Sequence, residues 1–239
     1  MSIALKFSSG DSERTHERYG TWEKIIPLPP DGLLWSVGGA SLELFLVVAD
    51  AWTQAMSPYI QPGATVLDIG CGCGRSARAL VPHPCVAQYT GFDVIAENVD
   101  WCRKHIEPFA GGRARFLYYD LYSAEYNPNG ALKASDLAFP CETGSVDLVI
   151  AASLFTHLLE VDAIHYLQQI SRVLSRRGYA LLSIHTQVQD GENFGGTEAR
   201  IDINPSYFLK LSAEAGLKLV SKLDDLCGQT LFVFSAINT

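Results

Sequence analysis

Apolar positions along the chain switch between two spacings. Five short runs are close to continuously apolar: TVLDI (65–69), VAQYTGFD (86–93), RFLYY (115–119), VDLVIAA (146–152) and YALLSIH (179–185). Runs of that length predict strands covered on both faces. Between most of them the spacing becomes helical, over 75–80, 97–106 and 162–174. In the last of these, Ile164, Leu167, Ile170, Val173 and Leu174 form one apolar stripe, and Gly178 reads as its stop. A further helix is expected at 41–56, with Ser41 as N-cap and Pro58 beyond its end. Strands alternating with helices predict a parallel sheet with helices on both sides.

The end of the chain breaks the alternation. After a helix at 206–215, closed by Gly216, come LKLVSKL (217–223) and TLFVFSA (230–236). The link DDLCGQ is too short for a helical crossover, so these two strands must be antiparallel neighbours. The expected fold class is therefore α/β: a doubly wound, mostly parallel, seven-stranded sheet ending in an antiparallel hairpin. Residues 1–40, polar and then proline-rich (PLPP at 27–30), read as an arm and linker packing over the core; 41–239 read as a single domain. Two long loops, 121–145 and 186–204, follow strands at their carboxyl ends. Long loops in a compact domain tend to be functional, and that edge is where open α/β sheets bind ligands.

Charge and cysteine content narrow the function. The 239 residues carry a formal charge of −8, and no basic run exceeds Arg176-Arg177, which argues against nucleic acid. The six cysteines form no C-x-x-C pair, and no metal-ligand spacing occurs, so no metal is expected. Reduced thiols packed as small hydrophobes suit a cytoplasmic setting. The start, MSIALKFSSGDSER, has too short an apolar run for a signal peptide, and no window approaches the roughly 18 apolar residues of a spanning helix. No membrane partner is expected.

The chemistry centres on VLDIGCGCGR (66–75), a buried strand running into glycines at 70, 72 and 74. Glycine permits positive φ and lets a ligand lie against the backbone, whose amides then serve as donors. A nicotinamide fingerprint would read G-x-G-x-x-G, but here Arg75 stands where its last glycine belongs. Asp68 sits two residues before Gly70. A carboxylate there repels a pyrophosphate and suits an ammonium group, favouring S-adenosylmethionine. Asp93, ending the second strand in GFDV, lies where an acid accepts hydrogen bonds from ribose hydroxyls.

VLDIGCGCGR, GFDV and RVLSRRGYALLSIH (172–185) together resemble the class I S-adenosylmethionine-dependent methyltransferases, over about 60–236. LAFPCETGSVDLVIAASLFTHLL (137–159) fits that family's fourth-strand region. VGG (37–39), WC (101–102), YNPNG (126–130) and FTHL (155–158) resemble a bacterial subgroup acting on small molecules. The resemblance implies that Gly70, Cys71 and Gly72 face the methionine part, with Asp68 holding its amine through water. It further implies that Asp93 binds the ribose and that Val94 packs on the adenine. Asp120, with the Leu121 amide, would bind the adenine amino group; Asp136 is the alternative acid. Ala152 and Ser153 would pass near the methionine amine, and SVGG (36–39) would help close over the cofactor or be a simple turn.

A base is needed only if the acceptor must lose a proton. His157, in SLFTHLL, is the first candidate and His185, in SIHT, the second. His165, His83 and His105 read as structural. INPSY (203–207) resembles an amino-methylation box but falls in the wrong place, and is read as a helix start capped by Asn204 or Ser206. AASLF offers no acid for magnesium. Trp22, Trp35, Tyr118, Tyr119, Tyr122, Tyr126 and Phe194 are candidates to line an acceptor pocket. The expected activity is metal-independent methyl transfer from S-adenosylmethionine to a small molecule, at a hydroxyl oxygen, leaving S-adenosylhomocysteine. The alternatives are nitrogen methylation, a nicotinamide-dependent reductase, and a non-catalytic partner subunit. A homodimer is left open.

Overall fold

The structure is a computed structural model that describes residues 26–38, 41–189 and 191–237. The expectations for the arm over 1–25, including Trp22, and for Gly39 and Gln189's neighbour at 190 lie outside the described residues. Nine strands are formed among the described residues: β1 Ala64–Ile69, β2 Val86–Asp93, β3 Ala114–Tyr118, β4 Val146–Ala151, β5 Leu174–Ile184, β6 Phe194–Thr197, β7 Arg200–Ile203, β8 Leu217–Leu226 and β9 Gln229–Ala236. The helices are α1 Asp31–Leu34, α2 Leu42–Met56, α3 Ala77–Leu80, α4 Ala96–His105, α5 Glu160–Val173 and α6 Pro205–Glu214.

Seven strands make one sheet in the order β3-β2-β1-β4-β5-β9-β8. The pairs from β3 to β5 are parallel, and β9 is antiparallel to both β5 and β8; β8 and β9 run on into the expected DDLCGQ link and leave Cys227 and Gly228 between them. The chain builds outward from β1 to β3, then returns to place β4 on the other side of β1. That reversal opens a crevice at the carboxyl ends of β1 and β4.

The strands read as continuous apolar runs because each sheet face is covered. Leu67, Val149, Leu182 and Phe232 pack with Leu167 and Ile170 of α5 and Phe208 of α6. Val66, Leu148, Leu181 and Val233 pack on the other face with Trp52 and Met56 of α2 and Val99 of α4. The expected caps form: Ser41 Oγ accepts from the Leu44 amide, and Asn204 Oδ1 accepts from the Ser206 and Tyr207 amides at 2.9 and 3.3 Å. No single helix among the described residues is long and apolar enough to cross a membrane; one bent pair, Asp31–Val37 with Leu42–Tyr59, passes by length and composition only.

Two local expectations need correction. Gly178 does not stop a helix: α5 ends at Val173, and Gly178 lies inside β5. A Cβ there would come within 2.7 Å of the Val146 carbonyl oxygen, so the glycine serves the close approach of β5 to β4. The 186–204 segment is not structureless, because it contains the antiparallel hairpin β6–β7. FGGT carries two glycines and no alternation, and RIDI, although Ile201 and Ile203 alternate with polar residues, is only four residues long. The hairpin docks through the Ile201 amide on the Thr156 carbonyl (2.7 Å) and the Ile203 amide on the His185 carbonyl (2.8 Å).

Candidate functional site

A cavity of about 410 Å³ opens at the crevice between β1 and β4. Its floor is the glycine turn. Gly70 and Gly72 have φ of 69° and 53°, and a Cβ on Gly72 would lie 2.4 Å from Val37 Cγ1. A Cβ on Gly70 would stand 3.1 Å from Leu154 Cδ1. Any side chain at these positions would fill the cradle and strain the backbone.

The first three amides of the turn, expected as donors to a ligand, are already engaged. Those of Gly70 and Cys71 donate to the Phe92 carbonyl at 2.9 and 3.0 Å, and that of Gly72 donates to Asp93 Oδ2 at 2.8 Å. The turn doubles back onto the end of β2, and the strand takes up these three donors. What remains for a ligand is bare α-carbon surface bordered by carboxylates. This surface offers a diphosphate little, while an ammonium or sulfonium cation finds acids beside it.

Asp93 accepts from the Ile95 amide with Oδ1 (2.9 Å) and from the Gly72 amide with Oδ2 (2.8 Å), and it lines the cavity. Burial raises its pKa, against the lowering effect of those amides and of Asn98. Asp68 is 1% exposed and accepts from the Tyr89 hydroxyl at 2.6 Å. Burial pushes its pKa up to about 6, opposed by that hydrogen bond and by Arg75, and reinforced by Asp93. Arg75 itself is buried, and its guanidinium donates to the Val37 carbonyl at 2.7 Å. It thus holds the 35–38 segment across the cavity, where Ser36, Val37 and Gly38 join the lining. Ser36 is also bonded to Asn98 of α4, with Nδ2 donating at 3.0 Å.

At the end of β4, Ser153 adopts φ 60°, a conformation that L-residues rarely hold. Its amide donates to Ser183 Oγ at 2.9 Å, and its carbonyl accepts from Thr156 Oγ1 at 2.5 Å. The bend turns the chain so that His157 faces the cavity. His157 Nδ1 lies 2.7 Å from the Glu198 carbonyl and so carries the proton, leaving Nε2 to accept from the Tyr126 hydroxyl at 3.1 Å. Burial lowers the His157 pKa and pushes that of Tyr126 up to about 12. His185 is also in the lining, its pKa lowered by burial first and by Arg200 second.

The cavity therefore brings together Asp68, Gly70, Cys71, Gly72, Asp93, Val94, Leu121, Ala152, Ser153, His157 and His185. Asp120 is not among its lining residues. Its carboxylate accepts from the Tyr118 hydroxyl (2.9 Å) and Asn127 Nδ2 (3.1 Å), which hold its pKa down, Asn127 first. It ties down the YNPNG segment instead. The Leu121 amide is likewise engaged, by the Tyr119 carbonyl at 2.7 Å, although the residue lines the cavity. Asp136 is exposed and also stands outside the lining. Of the aromatic candidates, Trp35, Tyr122 and Tyr126 reach the cavity, whereas Tyr118, Tyr119 and Phe194 do not.

Among the lining residues that escaped the sequence reading are Asp162 and Tyr166 on α5 and Glu198 in the β6–β7 turn. Asp162 and Tyr166 flank the apolar stripe of α5 at a four-residue spacing, which was a legible signal. Nothing local marks Glu198. It works by contact: Oε2 accepts from Ser123 Oγ (2.9 Å) and the Ala124 amide (2.6 Å), latching the hairpin to the loop after β3.

Comparison with known proteins follows the same lines. The model of a family described as a methyltransferase domain matches residues 44–221. Among solved structures, the chain is similar to a TehB-like SAM-dependent methyltransferase from Corynebacterium glutamicum, at 20% identity and TM-score 0.56, covering 96% of this chain and 100% of that one. It is similar at 18% identity and TM-score 0.63 to a chain of the complex between the Haloferax volcanii Trm112 methyltransferase activator and a putative methyltransferase, covering 89% and 100%. A third, 1,6-didemethyltoxoflavin-N1-methyltransferase from Burkholderia thailandensis with bound 1,6-didemethyltoxoflavin and S-adenosylhomocysteine, is 14% identical with TM-score 0.60, covering 99% and 94%.

Proposed function

Because this chain belongs to the methyltransferase-domain family, we propose that it methylates a hydroxyl oxygen of a small-molecule acceptor, with His157 as the base. The cofactor is S-adenosylmethionine, which supplies an activated methyl on a sulfonium and leaves as S-adenosylhomocysteine. The lining fits that group: two buried carboxylates, a bare glycine floor, and turn amides already spent within the protein. Membership of this family displaces the nicotinamide-reductase alternative.

In this reading Asp93 holds the ribose hydroxyls, Asp68 faces the amine, and Val94 packs on the adenine. Gly70, Cys71 and Gly72 pass beneath the methionine part, beside Ala152 and Ser153. Holding donor and acceptor in line supplies most of the acceleration, since orientation can contribute roughly 7–11 kcal/mol.

The observation that carries the choice of oxygen is the His157 ring. Its Nδ1 proton is committed to the Glu198 carbonyl, so Nε2 presents a lone pair toward the cavity. Burial keeps the ring neutral at pH 7. An acceptor hydroxyl that takes the place of Tyr126 on Nε2 delivers its proton there as its oxygen takes the methyl. His185, a second neutral imidazole in the same wall, is available to hold the acceptor. A cavity of about 410 Å³ shared by donor and acceptor favours a small molecule. The six free thiols favour a reducing, cytoplasmic location.

A thermal-shift series tests the cofactor side. S-adenosylhomocysteine at 100 times its dissociation constant adds about 2.7 kcal/mol of stability, and NADH adds none. Stabilisation by NADH alone would overturn the reading. Transfer of labelled methyl to hydroxyl-bearing compounds, and its loss in His157→Ala, tests the acceptor side.

A further inference from the structure

We infer that the end of the cavity beyond His157 is a subsite for a cationic nitrogen on the acceptor, held by Asp162 and Tyr166 of α5 and faced by Glu198. The inference rests on the reading of this cavity as the site of methyl transfer, and names the class of acceptor.

Asp162 and Tyr166 stand one helical turn apart, so both project from the same side of α5 into the cavity. Tyr166 is 3% exposed, and its hydroxyl makes no hydrogen bond among the described residues. The hydroxyl is open to the cavity rather than sealed in the core, so a ligand there can bond it. The Asp162 carboxylate likewise has no hydrogen bond or ion pair among the described residues. Burial raises its pKa, and the Glu198 charge raises it further, with His165 opposing. Two carboxylates that repel each other in a half-buried wall are relieved by one cation placed between them.

The remaining lining points the same way. Trp35, Tyr122 and Tyr126 supply aromatic rings, and aromatic faces attract ammonium groups. Arg75 is the one lysine or arginine in the lining among the described residues. It belongs to the other end, where it bonds the Val37 carbonyl and stands within electrostatic reach of Asp68. The lining of the acceptor end thus has carboxylates and, among the described residues, no lysine or arginine, the nearby Arg200 being paired with Asp202, and this field repels carboxylated or phosphorylated acceptors and draws in amines.

Three phenols of similar shape and different charge test this on the S-adenosylhomocysteine complex: tyramine, 4-ethylphenol and 3-(4-hydroxyphenyl)propionate. We expect tyramine to bind about tenfold tighter than 4-ethylphenol, and the propionate weakest, by calorimetry. Asp162→Asn brings tyramine to within about twofold of 4-ethylphenol, Asp162→Glu keeps the preference, and S-adenosylhomocysteine affinity is unchanged in both. Equal binding of the three, tightest binding of the propionate, a preference that survives Asp162→Asn, or no binding of any while the cofactor product still binds would each overturn the subsite. The hydroxyl-transfer reading fails separately: Asp162-dependent binding of tyramine without methylation, or with methylation untouched by His157→Ala, leaves the subsite standing and removes the base.

Discussion

The two ends of the cavity are built from different material. The end proposed to hold the methyl donor is made of strand termini: the last residues of β1, β2 and β4, with backbone amides of Gly70, Cys71 and Gly72 bonded to Phe92 and Asp93. The acceptor end is made of side chains carried in by separate segments: Tyr126 from the loop after β3, His157 and Tyr166 from the region after β4, and Glu198 from the β6–β7 turn. One end is set by the sheet and the other by how loops latch to one another. A substitution at the first should therefore break binding outright, while one at the second should change rate or selectivity and leave the cofactor in place.

The sharpest break is expected at Asp93. Asp93→Ala removes the proposed ribose acceptor and the anchor of the Gly72 amide together, and should weaken S-adenosylhomocysteine binding by about 100-fold or more with the fold retained. Calorimetry with a circular dichroism control checks this, and unchanged affinity would take Asp93 out of the site. His157→Ala should lower turnover by about 10²–10⁴ with cofactor affinity within about twofold. Wild-type turnover in that variant would reduce His157 to packing.

A pH titration sharpens the same contrast. The folded-state pKa of Asp68 is raised to about 6, and a cationic ligand prefers its ionised form. Affinity for S-adenosylhomocysteine should thus be nearly full at pH 7, about half at pH 6 and about tenfold lower at pH 5, with Asp68→Asn losing most of that dependence. Stability of the free protein should move the other way: a raised carboxyl pKa gains stability as pH falls through about 6 toward the unfolded value. The smallest effect is expected at the latch. Glu198→Ala removes the bonds to Ser123 and Ala124, costing about 1 kcal/mol, or a Tm lower by about 2–4 °C. Faster proteolysis of the 121–136 loop, with cofactor affinity kept, would confirm the latch as a property of the acceptor end.

The residues that line the end proposed for the donor could be placed from the sequence. Asp68, the glycines and Asp93 sit at fixed offsets within or just after strands that the apolar runs already mark. The hairpin β8–β9 was legible because a six-residue link leaves two strands no other arrangement. Asp120 shows where that reasoning stops. Its offset after β3 matched the adenine-binding position, but Asn127, seven residues on, folds back and takes its carboxylate. Gly130 permits the fold-back: a Cβ there would lie 2.4 Å from the Leu121 backbone. The amides of the glycine turn were misjudged for a similar reason, since Phe92 belongs to a different strand.

The order of residues by itself determined the sheet, its antiparallel close and the bare turn at the end of β1, because each depends on short-range spacing and on which residues tolerate a buried strand or a positive φ. Tertiary structure alone decided which donors stay free for a ligand and which acids face the acceptor. Those depend on segments far apart in the chain meeting at the sheet's carboxyl edge, where Glu198 closes on Ser123 and the ring of Tyr126 meets that of His157.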